Sequence, residues 1–348
     1  MKTKRRIIFE IAILILIMIM CSGCGGTQKS ISDDSGEEER EIYAMDTYMT
    51  VKAYGGGAKE AVDKAEERIR ELDSKLSTGI EESEVYQINK NGGGVLSEDG
   101  VYLLKRSLEL WDSTDRTFNP AIYPIMELWG FTTKDYQVPD EDEISDTLKL
   151  TDADNIIFDE KTGKVSFKKD GMKLDFGGVA KGYTSDCIMK IFKECGIKSG
   201  IVSLGGNVHV LGNKPDGSDF RIAIRNPDTQ QDSYIGVLEA SDCAVITSGG
   251  YERYFEKDGV IYHHIIDSET GYPADNGLKS VTIVSKDGTL ADILSTSLYI
   301  MGLDKASDYW YEHREKFDVI FVDDSGTVYI TGGIEKNFES EYDVRIIK

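Results

Sequence analysis

Apolar residues recur at helical spacing over Lys59–Leu76, where Val62, Ala65, Ile69, Leu72 and Leu76 fall on one face. The same period predicts helices over Ser97–Asp115, Val179–Cys195, Leu290–Met301 and Lys305–His313. Ser97 and Glu98 mark the start of the first of these. In Val179–Cys195 the expected stripe is Ala180, Tyr183, Cys187, Ile191 and Cys195. Alternation predicts a strand over Glu41–Tyr54 and a hairpin over Asn155–Phe167. Further strands are expected at Ile201–Leu204, Phe220–Ile224, Tyr234–Leu238 and Ala244–Thr247. Hairpins should turn at Asp258-Gly259 and Ser325-Gly326. Helices cluster early and strands late, without a βαβ series. The fold class is therefore α+β, in one compact, two-lobed unit with no internal repeat.

The first residues follow a different pattern. Lys2, Lys4, Arg5 and Arg6 precede an apolar run from Ile7 to Met20, broken only by Glu10. The run is short for a spanning helix and has the layout of a secretory signal. Cys24 after Cys21-Ser22-Gly23 looks like a lipidation site, and an uncleaved anchor is the other reading. Either places the folded part outside the cytoplasm, held at the cell membrane. Residues 24–41 read as a flexible acidic tether with an r.m.s. span of about 23 Å, and residues 42–348 as the folded domain.

The charge narrows the function. The chain of 348 residues carries a formal net charge of −22. Such a surface repels a phosphate backbone, so no nucleic-acid partner is expected. Cys187, Cys195 and Cys243 form no metal-binding spacing.

Three Gly-Gly pairs stand out: Gly177-Gly178 at a helix start, Gly205-Gly206 after a strand, and Gly249-Gly250 between strands. Glycines at a helix start let phosphate oxygens reach backbone N–H groups, and Lys181 adds a positive charge. Taken singly, each pair is as well explained by a tight turn. On the helix over Leu290–Met301, Leu290, Ile293, Leu294, Leu298 and Met301 make the buried stripe. Asp292, Ser295, Thr296 and Tyr299 lie opposite. Asp292 and Thr296 are adjacent at i,i+4 and offer hard oxygens suited to Mg²⁺, or simply a water-facing stripe. His263 and His264 should face opposite ways in a strand, so one at most enters a site. Thr117–Pro120 and Leu128–Phe131 offer apolar surface that suits either an aromatic ligand or the core.

Together these segments resemble the ApbE family, the FAD:protein FMN transferases, from about Met45 to Gly302. The resemblance rests on LDFGGVAKGY (Leu174–Tyr183), SLGGNV (Ser203–Val208), TSGGYERYF (Thr247–Phe255), HIIDSETGYP (His264–Pro273) and ADILST (Ala291–Thr296), in that order. It implies mixed and antiparallel sheets with flanking helices. It also implies a Mg²⁺-dependent enzyme that cleaves FAD, its substrate, and releases AMP. The FMN passes to a Thr or Ser of a partner, such as a subunit of a membrane redox complex or another extracytoplasmic flavoprotein. By motif position the metal would be held by Asp292, Thr296 and the carbonyl of Gly178. FAD would contact Met45, Thr117, Phe118, Asn119, Asp175, Lys181 and Ile266. His264 and Asp267 are candidates for the base that takes the hydroxyl proton. The sequence departs from the family where Asp46 follows Met45, where Gly79 replaces an aromatic, and where Asn119-Pro120 replaces Asp-Pro. Two alternatives share these motifs: an FAD pyrophosphatase, and a non-catalytic flavin-binding lipoprotein.

Overall fold

The computed structural model describes residues 36–228 and 233–348. The signal, Cys24 and most of the tether lie outside the described residues. In chain order the elements begin with β1 (Glu37–Ala44), β2 (Thr47–Tyr54), α1 (Ala58–Leu76), α2 (Glu84–Asn91), β3 (Gly93–Val95) and α3 (Glu98–Ser113). Next come α4 (Tyr123–Leu128), α5 (Glu141–Leu148), β4 (Ile156–Asp159), β5 (Lys164–Phe167) and α6 (Ala180–Glu194). Strands follow: β6 (Ser199–Leu204), β7 (Asn207–Leu211), β8 (Phe220–Arg225), β9 (Tyr234–Ala240), β10 (Cys243–Gly249), β11 (Tyr254–Lys257), β12 (Val260–His263) and β13 (Leu278–Ser285). The chain ends with α7 (Gly288–Met301), α8 (Leu303–His313), β14 (Phe317–Asp323), β15 (Val328–Thr331), β16 (Phe338–Glu339) and β17 (Val344–Ile347).

The class is α+β. A nine-stranded sheet runs β1-β2-β6-β7-β10-β13-β14-β15-β17. Its pairs are antiparallel except β15 with β17. Alternation along each strand divides the core between the two faces of this sheet. Val245, Ile320 and Val322 pack with the three-stranded sheet β16-β9-β8. Ala244, Ile246, Val319 and Phe321 pack against α7 and α8. At the β1 end, Met49, Val51 and Ala53 bury against α1 and α6.

Two expectations change. The strand expected over Glu41–Tyr54 is a hairpin that begins at Glu37. The last acidic residues of the supposed tether are thus sheet. Arg40 holds them there by bridging Glu38, Asp63 and Glu66, beside the buried Ile42. On α6 the buried face is Ser185, Ile188, Met189 and Phe192, whereas Tyr183, Cys187 and Cys195 are only partly buried. Small polar residues carry part of that face, which an apolar stripe does not reveal.

Candidate active site

A cavity of about 390 Å³ opens where the β1–β2 turn, the loop before α4, the start of α6, the end of β10 and the inner side of α7 converge. Of the residues expected in the site, Met45, Thr117, Phe118, Asn119, Asp175, Gly178, Lys181, His264, Ile266, Asp292 and Thr296 all line it. Asp267 does not. Its carboxylate accepts from the Glu269 amide at 2.8 Å, closing its own turn, and it faces a neighbouring hollow.

Helix α7 positions the acidic centre. It is buried nearly all round, so the opposite face is not water-facing. Asp292 is 4% exposed. Its carboxylate accepts from the Gly182 amide and from Asn207 Nδ2, each at 2.8 Å. The anion at the start of α6 is therefore Asp292 itself, and the Gly182 amide is not bare for phosphate. Gly182 permits this approach, because a Cβ there would lie 2.2 Å from the Gly288 carbonyl oxygen. One turn on, the Thr296 hydroxyl lies 3.2 Å from Ser248 Oγ. A Cβ on Gly178 would come within 4.0 Å of that hydroxyl and 3.0 Å of the Phe118 ring, so Gly178 presents its backbone closely there.

Asp292 fits a cation. It is a buried carboxylate met by two neutral donors, and among the described residues it belongs to no ion pair. Burying an uncompensated charge is costly. A small oxygen-seeking dication would supply the missing charge, with the Thr296 hydroxyl and Gly178 carbonyl beside it.

Other walls fix the remaining groups. Met45 and Asp46 form a two-residue turn with φ of 49° and 58°. The left-handed conformation of Asp46 shows why glycine suits this position. Asn119 is committed to structure: its amide donates to the Thr151 carbonyl at 2.7 Å, and its oxygen accepts from Ala121 at 2.8 Å. Asp175 accepts from the Gly177 amide, and burial raises its carboxyl pKa. His264 Nδ1 lies 3.1 Å from the Arg253 carbonyl, which can only accept, so Nδ1 carries the proton and Nε2 keeps a lone pair. Burial, and then the Arg253 cation, push the His264 pKa down to about 3. His263 instead contacts Tyr299 and the Ala274 carbonyl, outside the cavity.

Glu252, Arg253, Asn207, Ser248 and Tyr123 also line the cavity, although the sequence did not single them out. All but Tyr123 sit inside the glycine motifs, within a few residues of the Gly-Gly pairs. Neither Lys181 nor Arg253 belongs to any ion pair among the described residues, so both cations are available to an anionic ligand.

The sequence model of the ApbE family matches residues 45–321. An FAD:protein FMN transferase of Klebsiella pneumoniae is 36% identical over 257 residues, covering 73% of this chain and 79% of that protein. One from Treponema pallidum is 30% identical over 318 residues, 86% of each. The crystal structure of the ApbE protein of Thermotoga maritima superposes with a TM-score of 0.81 at 32% identity, covering 87% of this chain and 99% of that one. The flavin transferase ApbE of Vibrio cholerae gives 0.77 at 25% identity, over 87% and 100%. The chain belongs to the ApbE family.

Proposed function

We propose that the protein transfers FMN from FAD to a Ser or Thr hydroxyl of an acceptor protein and releases AMP. The observation that carries this reading is the cavity itself. Lys181 and Arg253, in no ion pair among the described residues, share it with a cation-ready Asp292–Thr296 pair and a neutral His264. A pyrophosphate needs this combination: charge compensation along its oxygens and a base for the attacking hydroxyl. Asp292, Thr296 and the Gly178 carbonyl would hold Mg²⁺, which supplies positive charge against the diphosphate. Lys181 and Arg253 bind the remaining phosphate oxygens. In the reaction the acceptor oxygen bonds to the FMN phosphorus, the bond from that phosphorus to the AMP moiety breaks, and AMP leaves. The acceptor proton passes to His264 Nε2, and phosphate bound beside the ring opposes the fall in its pKa.

Upstream, Cys24 carries a lipid that holds the domain on the extracytoplasmic face of the membrane. The basic and apolar run before Cys21-Ser22-Gly23-Cys24 supports this reading.

The test incubates the full chain with FAD, Mg²⁺ and membranes from source cells lacking it. A mass gain of one FMN on a membrane protein, with equimolar AMP, is expected. AMP and free FMN without labelled protein would make it a pyrophosphatase. Flavin binding without AMP would make it a binding protein.

A further inference from the structure

A second, larger hollow of about 940 Å³ adjoins the reaction cavity. The two share Thr117, Ser268 and Ile300 as lining residues, so they meet at one junction. Helix α7 measures the distance. Asp292, Thr296 and Ile300 follow one another at four-residue spacing along the cavity side. At 1.5 Å per residue, Ile300 stands about 6 Å along the axis from Thr296 and about 12 Å from Asp292.

The hollow is more acidic than the cavity, where Asp46, Asp175, Glu252 and Asp292 face Lys181 and Arg253. Asp115, Asp152, Asp267, Glu269, Asp308 and Glu312 line the hollow, against Arg116 and Lys305. Arg116 is already paired with Asp154 at 2.6 Å. This lining repels the diphosphate of a flavin nucleotide and the phosphate of AMP, whereas Lys181 and Arg253 attract them into the cavity. In its wall, Asp115 and Arg116 are consecutive non-glycine residues in the left-handed region, at φ 53° and 66°. At the junction the Ser268 hydroxyl is buried without a hydrogen-bond partner among the described residues. A buried hydroxyl in that state calls for a ligand group to complete it.

Resting on the transferase reading above, we infer that this hollow admits the acceptor: an extended, hydroxyl-bearing polypeptide segment without phosphate. A polypeptide offers the N–H donors that a carboxylate-lined groove and the Ser268 oxygen accept. An extended chain advances roughly 3.3 Å per residue, so two residues beyond the junction bring a Ser or Thr hydroxyl level with Thr296. The nucleotide and the polypeptide thus reach the reacting phosphorus from different sides.

The test places a bulky group at the mouth of the hollow. Asp308 and Glu312 are exposed on α8. Full-length Asp308→Cys and Glu312→Cys are compared before and after coupling to a polyethylene-glycol maleimide. Wild-type protein treated identically controls for the chain's own cysteines, Cys21, Cys24, Cys187, Cys195 and Cys243. FAD and Mg²⁺ are supplied with membranes from cells lacking the chain, and protein-bound flavin fluorescence is read in gels. AMP release is followed without membranes. Coupling should cut covalent labelling at least about tenfold and leave AMP release within about twofold. Undiminished labelling overturns the proposal, because the acceptor then arrives elsewhere. So does a parallel fall in AMP release, which would give the hollow to the nucleotide. Wild-type protein that forms no AMP even with membranes present, or AMP there without labelled protein, removes the transferase reading itself and this proposal with it.

Discussion

The Asp292 carboxylate accepts a hydrogen bond from the Gly182 amide at 2.8 Å, which ties the start of α6 to the middle of α7. The same carboxylate faces the cavity and accepts from Asn207. It therefore joins two helices while offering its charge to a cation. Asp292→Asn turns one oxygen into an NH₂ that must face an N–H donor. The unmet buried donor costs about 1–3 kcal/mol, and removing an uncompensated buried charge offsets part of it, so the variant should fold with at most a modest loss of stability. AMP release should fall by about two orders of magnitude or more if the metal supplies roughly 3 kcal/mol at the transition state. Urea titration and AMP chromatography separate the two effects. A folded variant with near-normal Mg²⁺-dependent turnover removes the metal assignment.

Gly182→Ala sets helix propensity against packing. Inside a helix alanine is favoured by about 1 kcal/mol. Here the new Cβ would lie 2.2 Å from the Gly288 carbonyl oxygen and 2.6 Å from Asp292 Cβ. Backbone cannot yield as a side chain can, and overpacking costs about 1–3 kcal/mol or more. Packing wins, so the variant should unfold at lower urea than wild type. Equal or higher stability would show that α6 and α7 separate easily.

How much of this was legible in the sequence depended on how each element is buried. Helix α1 was read within a residue, because it buries one apolar face and its stripe is clean. Helix α7 was located, but its environment was misjudged. Its polar residues are buried against the cavity and against Ser248, and periodicity cannot tell a solvated polar face from one lining a site. The β1–β2 turn was missed because Met45-Asp46 lacks turn glycines and still adopts two left-handed residues. Asp267 sits three residues from His264, yet its turn aims it at the adjoining hollow. Glu252 and Arg253 gave no periodic signal. They belong to a short connection between strands, and only folding brings them opposite Lys181 and Asp292.

Behind the site, His209 and Asp186 stand 3.8 Å apart. Burial pushes the His209 pKa down to about 4 and the Asp186 pKa up to about 6. Between pH 4 and 6 the unfolded chain carries its proton on the histidine, and the folded pair carries one on the aspartate. Proton counts match, so this pair leaves stability flat there. Asp186→Asn removes the compensation. The unfolded state then binds one proton more than the native state between pH 4 and 6.5. Stability should fall on acidification by up to about 1.4 kcal/mol per pH unit. Thermal melts from pH 4 to 7 check this; the same pH slope as wild type would mean that His209 titrates normally.

Replacing Cys24 tests the anchor. Cys24→Ala should leave the protein without lipid and shift it from the membrane to the soluble fraction or to an uncleaved form. Fractionation with radiolabelled palmitate reads this directly, and unchanged labelling would move the modification to another residue.

Glu252 bears on how the cavity takes a nucleotide. The crowded cleft raises its pKa to about 7; Lys181 opposes the shift and Asp292 adds to it. Ionised, it places a further negative charge in a cavity already lined by Asp46, Asp175 and Asp292. A diphosphate entering without metal is repelled by that charge, and binding it must favour the protonated form. Metal-free FAD affinity should therefore strengthen as pH falls from 8 to 6. His264 does not contribute, because it stays neutral until about pH 3, and the Gln variant separates Glu252 from Asp175, the other cavity carboxyl whose pKa burial raises. Glu252→Gln copies the protonated form. It should bind FAD at pH 8 about as well as wild type does at pH 6, and its affinity should change little across that range. Calorimetry in the presence of a chelator gives both curves. A wild-type affinity that is level from pH 8 to 6 would place Glu252 away from the phosphates, and a Gln variant that keeps the wild-type slope would assign the titration to another group.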